Sequence, residues 1–294
     1  MRGSQKPKLG QNFLADRRAA EKIVDALGDV SQSLVVEIGP GGGALTELLL
    51  PKAGRVIAIE LDRMLATQLR MKYARAPKLE VLEGDVLTID FRTVLHRTIG
   101  PLGDLRPEKP ERARLLGNLP YYITSDILLH LFDFYDQFDL LVIMVQREVG
   151  ERIAAKPGSR DYGLLSATVQ LYAQVETLFT LPPGAFVPPP KVHSSVLRLR
   201  MAPRFDDLGV KPREFIEFLK LAFAMKRKTL LNNLKKNYGE EQIREALKQA
   251  DVRADIRAEA MALEETARVF RELRESGHRD IGASGHRKAD GSTG

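Results

Sequence analysis

Val35-Val36-Glu37-Ile38-Gly39-Pro40-Gly41-Gly42-Gly43-Ala44 decides the reading of this chain. Leu34 to Val36 is a short apolar run of the kind that forms a buried strand. Four glycines follow between Ile38 and Ala44, and Ala44-Leu45-Thr46-Glu47-Leu48-Leu49-Leu50 opens a helix. Glycines in a strand-to-helix turn let a ligand lie against the backbone, because no Cβ holds it off. The helix start behind the turn is expected to offer unpaired N–H groups and a partial positive charge. Gly39-x-Gly41-x-x-Ala44 also fits the loose dinucleotide fingerprint. Glu60, 21 residues after Gly39, stands where an acid grips ribose hydroxyls. The stretch therefore suits a dinucleotide or an adenosyl cofactor such as S-adenosylmethionine, and a tight turn with no ligand is the plain alternative.

Working outward, Arg55 to Glu60 and Leu79 to Glu83 read as two further strands, the second followed by Gly84-Asp85. Helical patterns fall between them, at Ala44 to Lys52 and Asp62 to Tyr73. Successive strand–helix units predict a parallel sheet with helices on both faces, and ligands bind such sheets beyond the carboxyl ends of the strands. Gly39, Glu60 and Asp85 all stand at such ends. Asp16 to Leu27 reads as a helix ahead of the first strand. Later strands are expected at Ala113 to Gly117, Asp139 to Gln146, Val175 to Phe179 and Ser195 to Met201, the last half-buried and antiparallel to its neighbour. Thr98 to Arg112 reads as a surface loop and Pro182 to Val192 as a stiff proline loop. Helices are expected at Ile123 to Phe132, Arg147 to Ala155 and Tyr162 to Tyr172.

The fold expected is α/β, a Rossmann-like sheet with a small C-terminal helical domain. Residues 1–202 would form the sheet domain and 203–275 the helical one, with Pro203 to Gly209 a linker. The segment 276–294 carries almost nothing apolar and reads as a disordered tail.

Composition narrows the function. At 294 residues, 44% hydrophobic and 29% charged, the chain has the balance of a globular protein. No apolar run approaches the roughly 20 residues that span a bilayer. The absence of cysteine removes thiolate nucleophiles and Cys-ligated zinc, and the five scattered histidines show no metal-ligand spacing. No metal site and no membrane are expected, and a cytoplasmic location fits. From Arg200 to Lys236 there are ten Lys/Arg against four Asp/Glu, an excess equal to the whole chain's net charge of +6. Such a concentration is either a footprint for a polyanion or a solvated helix face.

Asn118-Leu119-Pro120-Tyr121 chooses among the cofactor readings. It ends a strand of the same sheet. An adenine N6 amine is conjugated with its ring and nucleophilically poor. Acceptors aimed at its two hydrogens favour pyramidal nitrogen and free the lone pair. An Asn oxygen and a backbone carbonyl preset by a proline suit that task, and a tyrosine ring offers a stacking face to a flipped base. A proline turn closing a strand is the alternative.

With these residues in view, the chain resembles the ribosomal RNA adenine N6,N6-dimethyltransferases over most of residues 6–274. The resemblance rests on Gly10-Gln11-Asn12-Phe13-Leu14, Val36 to Gly41, Glu60, Gly84-Asp85, Asn118 to Tyr121, Phe186-x-Pro188-x-Pro190-Lys191-Val192 and Arg227-Lys228-Thr229-Leu230. It implies S-adenosylmethionine as cofactor. It also implies a monomeric partner of the 30S subunit that methylates two adjacent adenines near the 3′ end of 16S rRNA, with a role in small-subunit biogenesis. By the same resemblance, Asn12 and Leu14 would contact or cover the cofactor, and Gly39 would approach its backbone. Glu60 would bind its ribose, Asp85 its adenine amine, and Asn118 both cofactor and target amine. Tyr121 would stack on the target base with Phe186 packed near it, and Lys226, Arg227 and Lys228 would hold rRNA phosphates. The chain departs from the family at Lys8-Leu9, where a basic-aromatic pair is common, at Tyr122, often Asn, and in the long Thr98–Arg112 loop. Three rivals remain: a 23S rRNA adenine methyltransferase, a non-catalytic RNA-binding factor of the same fold, and an NAD-dependent dehydrogenase.

Overall fold

The computed structural model describes residues 12–98 and 112–284. The chain runs β1 (Phe13–Leu14), α1 (Arg17–Asp25), β2 (Leu34–Ile38), α2 (Ala44–Leu49), β3 (Arg55–Glu60), α3 (Arg63–Lys72), β4 (Leu79–Glu83), α4 (Phe91–Thr98) and β5 (Ala113–Asn118). It continues with α5 (Thr124–Phe132), β6 (Phe138–Gln146), α6 (Arg147–Ile153), α7 (Leu164–Tyr172), β7 (Ala173–Leu181), β8 (Phe186–Val187) and β9 (Ser194–Met201). The last elements are α8 (Phe205–Leu208), α9 (Pro212–Ala222), α10 (Leu230–Leu234), α11 (Glu240–Gln249) and α12 (Leu263–Ser284).

Seven strands form one sheet in the order β4-β3-β2-β5-β6-β9-β7. Its first five are parallel, and β9 lies antiparallel to both β6 and β7. The middle of the sheet is apolar because both faces are covered: Val35, Val36, Ile57, Leu115, Leu116, Val142 and Ile143 are fully buried. Strand order reverses between β2 and β5. A crevice therefore opens beyond their carboxyl ends, at the switch point where open α/β sheets bind ligands.

The helix starts follow local chemistry. Asp16 caps α1 by accepting from Ala19 N, and Asp62 caps α3 by accepting from Met64 and Leu65 N. Helix α4 went unread in the sequence, although Phe91 and Leu95 sit one helical turn apart and are buried. Phe91 packs edge-on against Phe134 and Phe138. Strand β9 is antiparallel as expected but is not half-buried. It is an interior strand, with Ser194 to Leu197 buried throughout, and Arg198 is accommodated by pairing with Glu176 on β7.

Two compact units result. One holds the described residues up to Glu151 together with Ala173–Met201; the other holds Arg152–Tyr172 and the described residues from Ala202 on. The sequence-based boundary at 202 left Arg152–Tyr172 with the sheet, and the structure moves it. Gly158 N donates to the Glu259 carbonyl and Arg204 N to the Leu171 carbonyl. The Tyr162 ring meets Phe223, and the Tyr172 ring meets Phe205 at 5.0 Å. The expected linker at 203–209 is also corrected. Phe205 and Leu208 in α8 are buried, and Gly209 ends the turn at φ +62°. This second unit has its own core, in which Phe215 and Phe218 each stand 5.3 Å from Phe270. Helix α12 runs to Ser284, past the expected edge at 275; residues 285–294 of the expected tail, and 99–111 of the expected loop, lie outside the described residues. Among the described residues no helix is long and apolar enough to cross a membrane.

Candidate active site

A cavity of about 560 Å³ opens at the carboxyl ends of five parallel strands. β2 contributes Gly39 to Gly42, β3 Glu60 and Leu61, β4 Gly84 to Val86, β5 Asn118 to Ile123, and β6 Gln146, while Asn12 to Leu14 close it from the N-terminal side.

The glycine loop is built for close approach. Gly39, Gly41 and Gly43 hold φ of +67°, +54° and +83°, a left-handed region that side chains rarely adopt. A Cβ on Gly41 would stand 2.8 Å from the Phe13 ring, and one on Gly39 would stand 3.3 Å from the Asn118 carbonyl. The loop is less rich in free donors than expected. Gly39 N donates to the Ile59 carbonyl, Gly41 N to Glu60 Oε2 and Gly43 N to the Pro40 carbonyl. Three N–H groups are thus spent on the turn itself, so the loop offers its surface more than its donors.

Two carboxylates stand at adjacent strand ends. Glu60 is 3% exposed, and its two oxygens accept from Gly41 N at 3.0 Å and Asp62 N at 2.9 Å. Those bonds lock the carboxylate in place while each oxygen keeps a second lone pair for a hydroxyl donor. Asp85 accepts from Leu87 N through Oδ1, capping a short 3₁₀ turn, and leaves Oδ2 as an acceptor. Behind the loop lies a third acid. Glu37 is fully buried on β2, accepts from Thr46 Oγ1 at 2.6 Å through Oε2, and has no partner for Oε1. Burial pushes its carboxyl up to about 7.

The β5 end carries the acceptors for chemistry. Asn118 Nδ2 donates to the Asn12 carbonyl at 3.1 Å, which fixes the amide and leaves Oδ1 as the acceptor. The Pro120 carbonyl is consumed by Ile123 N and Thr124 Oγ1. The Leu119 carbonyl, preset by the proline after it, accepts no hydrogen bond among the described residues. Leu119 N is tied to the Met144 carbonyl on β6, so the pair of acceptors is anchored to the sheet. Tyr121 is half-buried, its hydroxyl 2.7 Å from Ser194 Oγ on β9, and burial raises its pKa.

Nine residues singled out in the sequence meet in this cavity: Asn12, Leu14, Gly39, Glu60, Asp85, Asn118, Leu119, Pro120 and Tyr121. Phe186 does not. It pairs with Leu14 in the β1–β8 ribbon and is 2% exposed in the core, so it backs the cavity wall instead of meeting a base. Lys226, Arg227 and Lys228 belong to the second unit, where they are exposed. They occupy a turn between α9 and α10, not a helix face. Arg227 holds φ 72° with its N–H on Glu259 Oε1, and Lys226 Nζ donates to the Arg160 carbonyl. Sequence reasoning missed Gln146, Leu61, Ser194 and the packing role of Phe13. The strand-end rule that found Glu60 and Asp85 applies equally to Gln146 and Leu61; Ser194 left no local signal.

The cavity fits a nucleoside-bearing cofactor. Gly39, Gly41 and Gly42 line it without side chains, and two carboxylates stand at the strand ends. Among the described residues no three His, Asp or Glu side chains come together to hold a metal.

Comparison with known proteins agrees. The family model described as "Ribosomal RNA adenine dimethylase" matches residues 2–275. A protein of Koribacter versatilis named ribosomal RNA small subunit methyltransferase A is 59% identical over 92% of this chain and 95% of its own length. A protein of the same name from Acidobacterium capsulatum is 52% identical over 92% of both chains. Among solved structures, a dimethyladenosine transferase from Plasmodium falciparum aligns over 90% of this chain and 98% of its own with a TM-score of 0.74 at 26% identity. The 23S rRNA methyltransferase ErmE aligns over 90% of this chain and all of its own, with 0.64 at 25%. On the match of sequence across both units, and on the cavity that its motifs build, the chain belongs to the ribosomal RNA adenine dimethylase family.

Proposed function

We propose that this chain transfers methyl groups from S-adenosylmethionine to N6 of two adjacent adenines near the 3′ end of 16S rRNA, giving N6,N6-dimethyladenosine. We read it as a monomer acting in the cytoplasm on the 30S subunit during its biogenesis. The observation that carries the reading is the pair of anchored acceptors, Asn118 Oδ1 and the Leu119 carbonyl, in the same cavity as Glu60 and Asp85.

Glu60 would accept from the ribose hydroxyls of the cofactor and Asp85 from its adenine amine; Gly39 would let it lie on the backbone, and Asn12 and Leu14 would cover it. Bound there, S-adenosylmethionine would supply an electrophilic methyl group on a sulfonium sulfur, and the sulfur would keep the electrons of the broken C–S bond and leave as the neutral thioether S-adenosylhomocysteine. Tyr121, its hydroxyl held by Ser194, keeps its ring in place to stack on the extruded base. Asn118 Oδ1 and the Leu119 carbonyl accept the two N6 hydrogens, which withdraws the nitrogen lone pair from the ring and directs it to the methyl carbon. The chain needs no strong base, because the alkylated nitrogen is acidic and sheds its proton to water. The first transfer leaves one N6 hydrogen for one acceptor; after the second the nitrogen keeps none, so the product is held less firmly than the substrate. Lys226, Arg227 and Lys228 hold RNA phosphates, a contact that fixes register without reading sequence.

Similarity to proteins named for the small subunit, at 59% and 52% identity, favours 30S over 50S; the 23S enzyme is similar at 25%. Under-methylated 30S and 50S particles, incubated in parallel with tritiated S-adenosylmethionine and digested to nucleosides, test this. Dimethyladenosine from 30S alone is expected. Label in 50S alone would move the substrate to the 23S RNA, and no label in either would leave a non-catalytic RNA-binding role.

A further inference from the structure

Tyr121 and Tyr122 are neighbours in sequence, line the same cavity and live in opposite environments. Tyr121 is half-buried and pinned by Ser194. Tyr122 is 68% exposed; among the described residues its hydroxyl has no hydrogen-bond partner and its ring no aromatic neighbour. The fold therefore gains little from this ring, which would be more soluble as a polar side chain. Among the described residues, Tyr122 is one of three exposed apolar residues that line the cavity. Leu61 at 48% exposure and Phe13 at 37% line the same cavity, so its mouth carries an apolar lip. Phe13 is held there by the backbone pairing of β1 with β8, and Leu61 follows directly on the buried Glu60.

A base that enters the cavity stays covalently joined to its neighbours through one phosphodiester on each side. The neighbouring base must then lie at the mouth, unstacked from the one that has left the strand. Every base has a π-face, and an exposed aromatic ring replaces the lost stacking partner. We propose that Tyr122 is the stacking platform for the nucleotide adjoining the target adenine. The inference rests on the RNA-methylating reading above and adds a second base-contacting residue to it. Because the strand has one polarity, only one of two adjacent adenines is the base on the platform while the other is in the cavity.

The test uses the full chain, under-methylated 30S subunits and the variants Tyr122→Ala, Tyr122→Phe and Tyr122→Trp. Tyr122→Ala is expected to raise KM for 30S by roughly 5- to 150-fold, the range set by the loss of one base–aromatic stack. The affinity for S-adenosylmethionine, measured calorimetrically, stays as in the wild type. Tyr122→Phe and Tyr122→Trp keep a ring and restore KM to within about twofold of the wild type. A Tyr122→Ala enzyme with wild-type KM overturns the proposal. So does a Tyr122→Phe enzyme as impaired as Tyr122→Ala, since the hydroxyl would then matter and not the ring, and so does a parallel loss of cofactor affinity. Equilibrium binding of the same proteins to 30S without cofactor separates this from the parent reading. If the wild type binds 30S but transfers no methyl, methyl transfer fails, and the ratio of the Tyr122→Ala and wild-type Kd values still decides the platform.

Discussion

Two of the turns of this chain that use left-handed backbone contrast in what they carry there. In the loop after β2, Gly39, Gly41 and Gly43 take φ between +54° and +83°, and a Cβ on any of them would crowd a neighbour: the Asn118 carbonyl, the Phe13 ring, and Leu69 with Tyr73. In the turn after α9, Arg227 takes φ 72° and keeps its side chain. A non-glycine residue in that region costs about 1–2 kcal/mol. Glu259 meets that cost in part by accepting the Arg227 N–H. The difference teaches what each turn is for. Where a small ligand must reach the backbone, side chains are removed and the conformation is free. In the turn after α9 a charged side chain is kept in a strained conformation, as the proposed contact with RNA phosphates would use it.

The largest break in that comparison is Gly41→Ala. The new Cβ would stand 2.8 Å from the Phe13 ring in a backbone conformation that alanine resists. We expect about 1 kcal/mol or more of lost stability, read as a lower Tm. Cofactor affinity should fall at least tenfold, because Phe13 must leave the lip or the loop must move. A variant with wild-type cofactor affinity would mean the loop is not a close-approach surface.

Next in size is the basic turn. Neutralising Lys226, Arg227 and Lys228 together should weaken 30S binding and flatten its salt dependence, by about 0.7–0.9 in log–log slope for each phosphate no longer neutralised. An unchanged slope would place the RNA-binding surface elsewhere.

Glu37, behind the glycine loop, gives a pH-dependent contrast. Its folded pKa of about 7 lies above the ordinary 4.5, so the folded chain holds more protons here than the unfolded chain between those values. Its contribution is therefore favourable at low pH and lost as pH rises from about 4.5 through 7. Glu37→Gln keeps an acceptor for Thr46 and should flatten stability across that window, by at most roughly 3 kcal/mol. Urea titrations at pH 5 and pH 8 would show it; an equal pH dependence in both proteins would mean Glu37 does not titrate there. The smallest effect is Arg227→Gly, which should raise stability by about 1 kcal/mol while lowering RNA affinity. Lower stability would mean that the Arg227 side chain supports the turn.

The sheet and most of the cavity could be read from sequence because their signals are local. Val35-Val36, Val56 to Ile59 and Leu140 to Val145 are short apolar runs rich in β-branched residues, as buried strands are. Gly39, Glu60, Asp85 and Asn118 each stand where such a run ends. What could not be read depends on distant partners. Phe186 looks like a base-contacting aromatic in a proline loop, yet its pairing with Leu14 turns it into the core. Ser195 to Met201 alternates like a half-buried strand, but lying between β6 and β7 buries most of it. Arg152–Tyr172 precedes a sheet strand and packs with helices that come later in the chain, through Tyr162, Tyr172 and Gly158. No local pattern announces such a contact. The orientation of the Asn118 amide is of the same kind, since it depends on a carbonyl at Asn12.

The central claim is that Asn118 Oδ1 and the Leu119 carbonyl activate the adenine amine. Single-turnover methyl transfer to under-methylated 30S subunits, with wild type and Asn118→Ala both saturated with S-adenosylmethionine, tests it most directly. The account predicts dimethyladenosine from the wild type and a rate lower by about 10²–10³-fold in the variant, the scale of removing one preorganised polar contact from a transition state. Transfer by Asn118→Ala at the wild-type rate would contradict it.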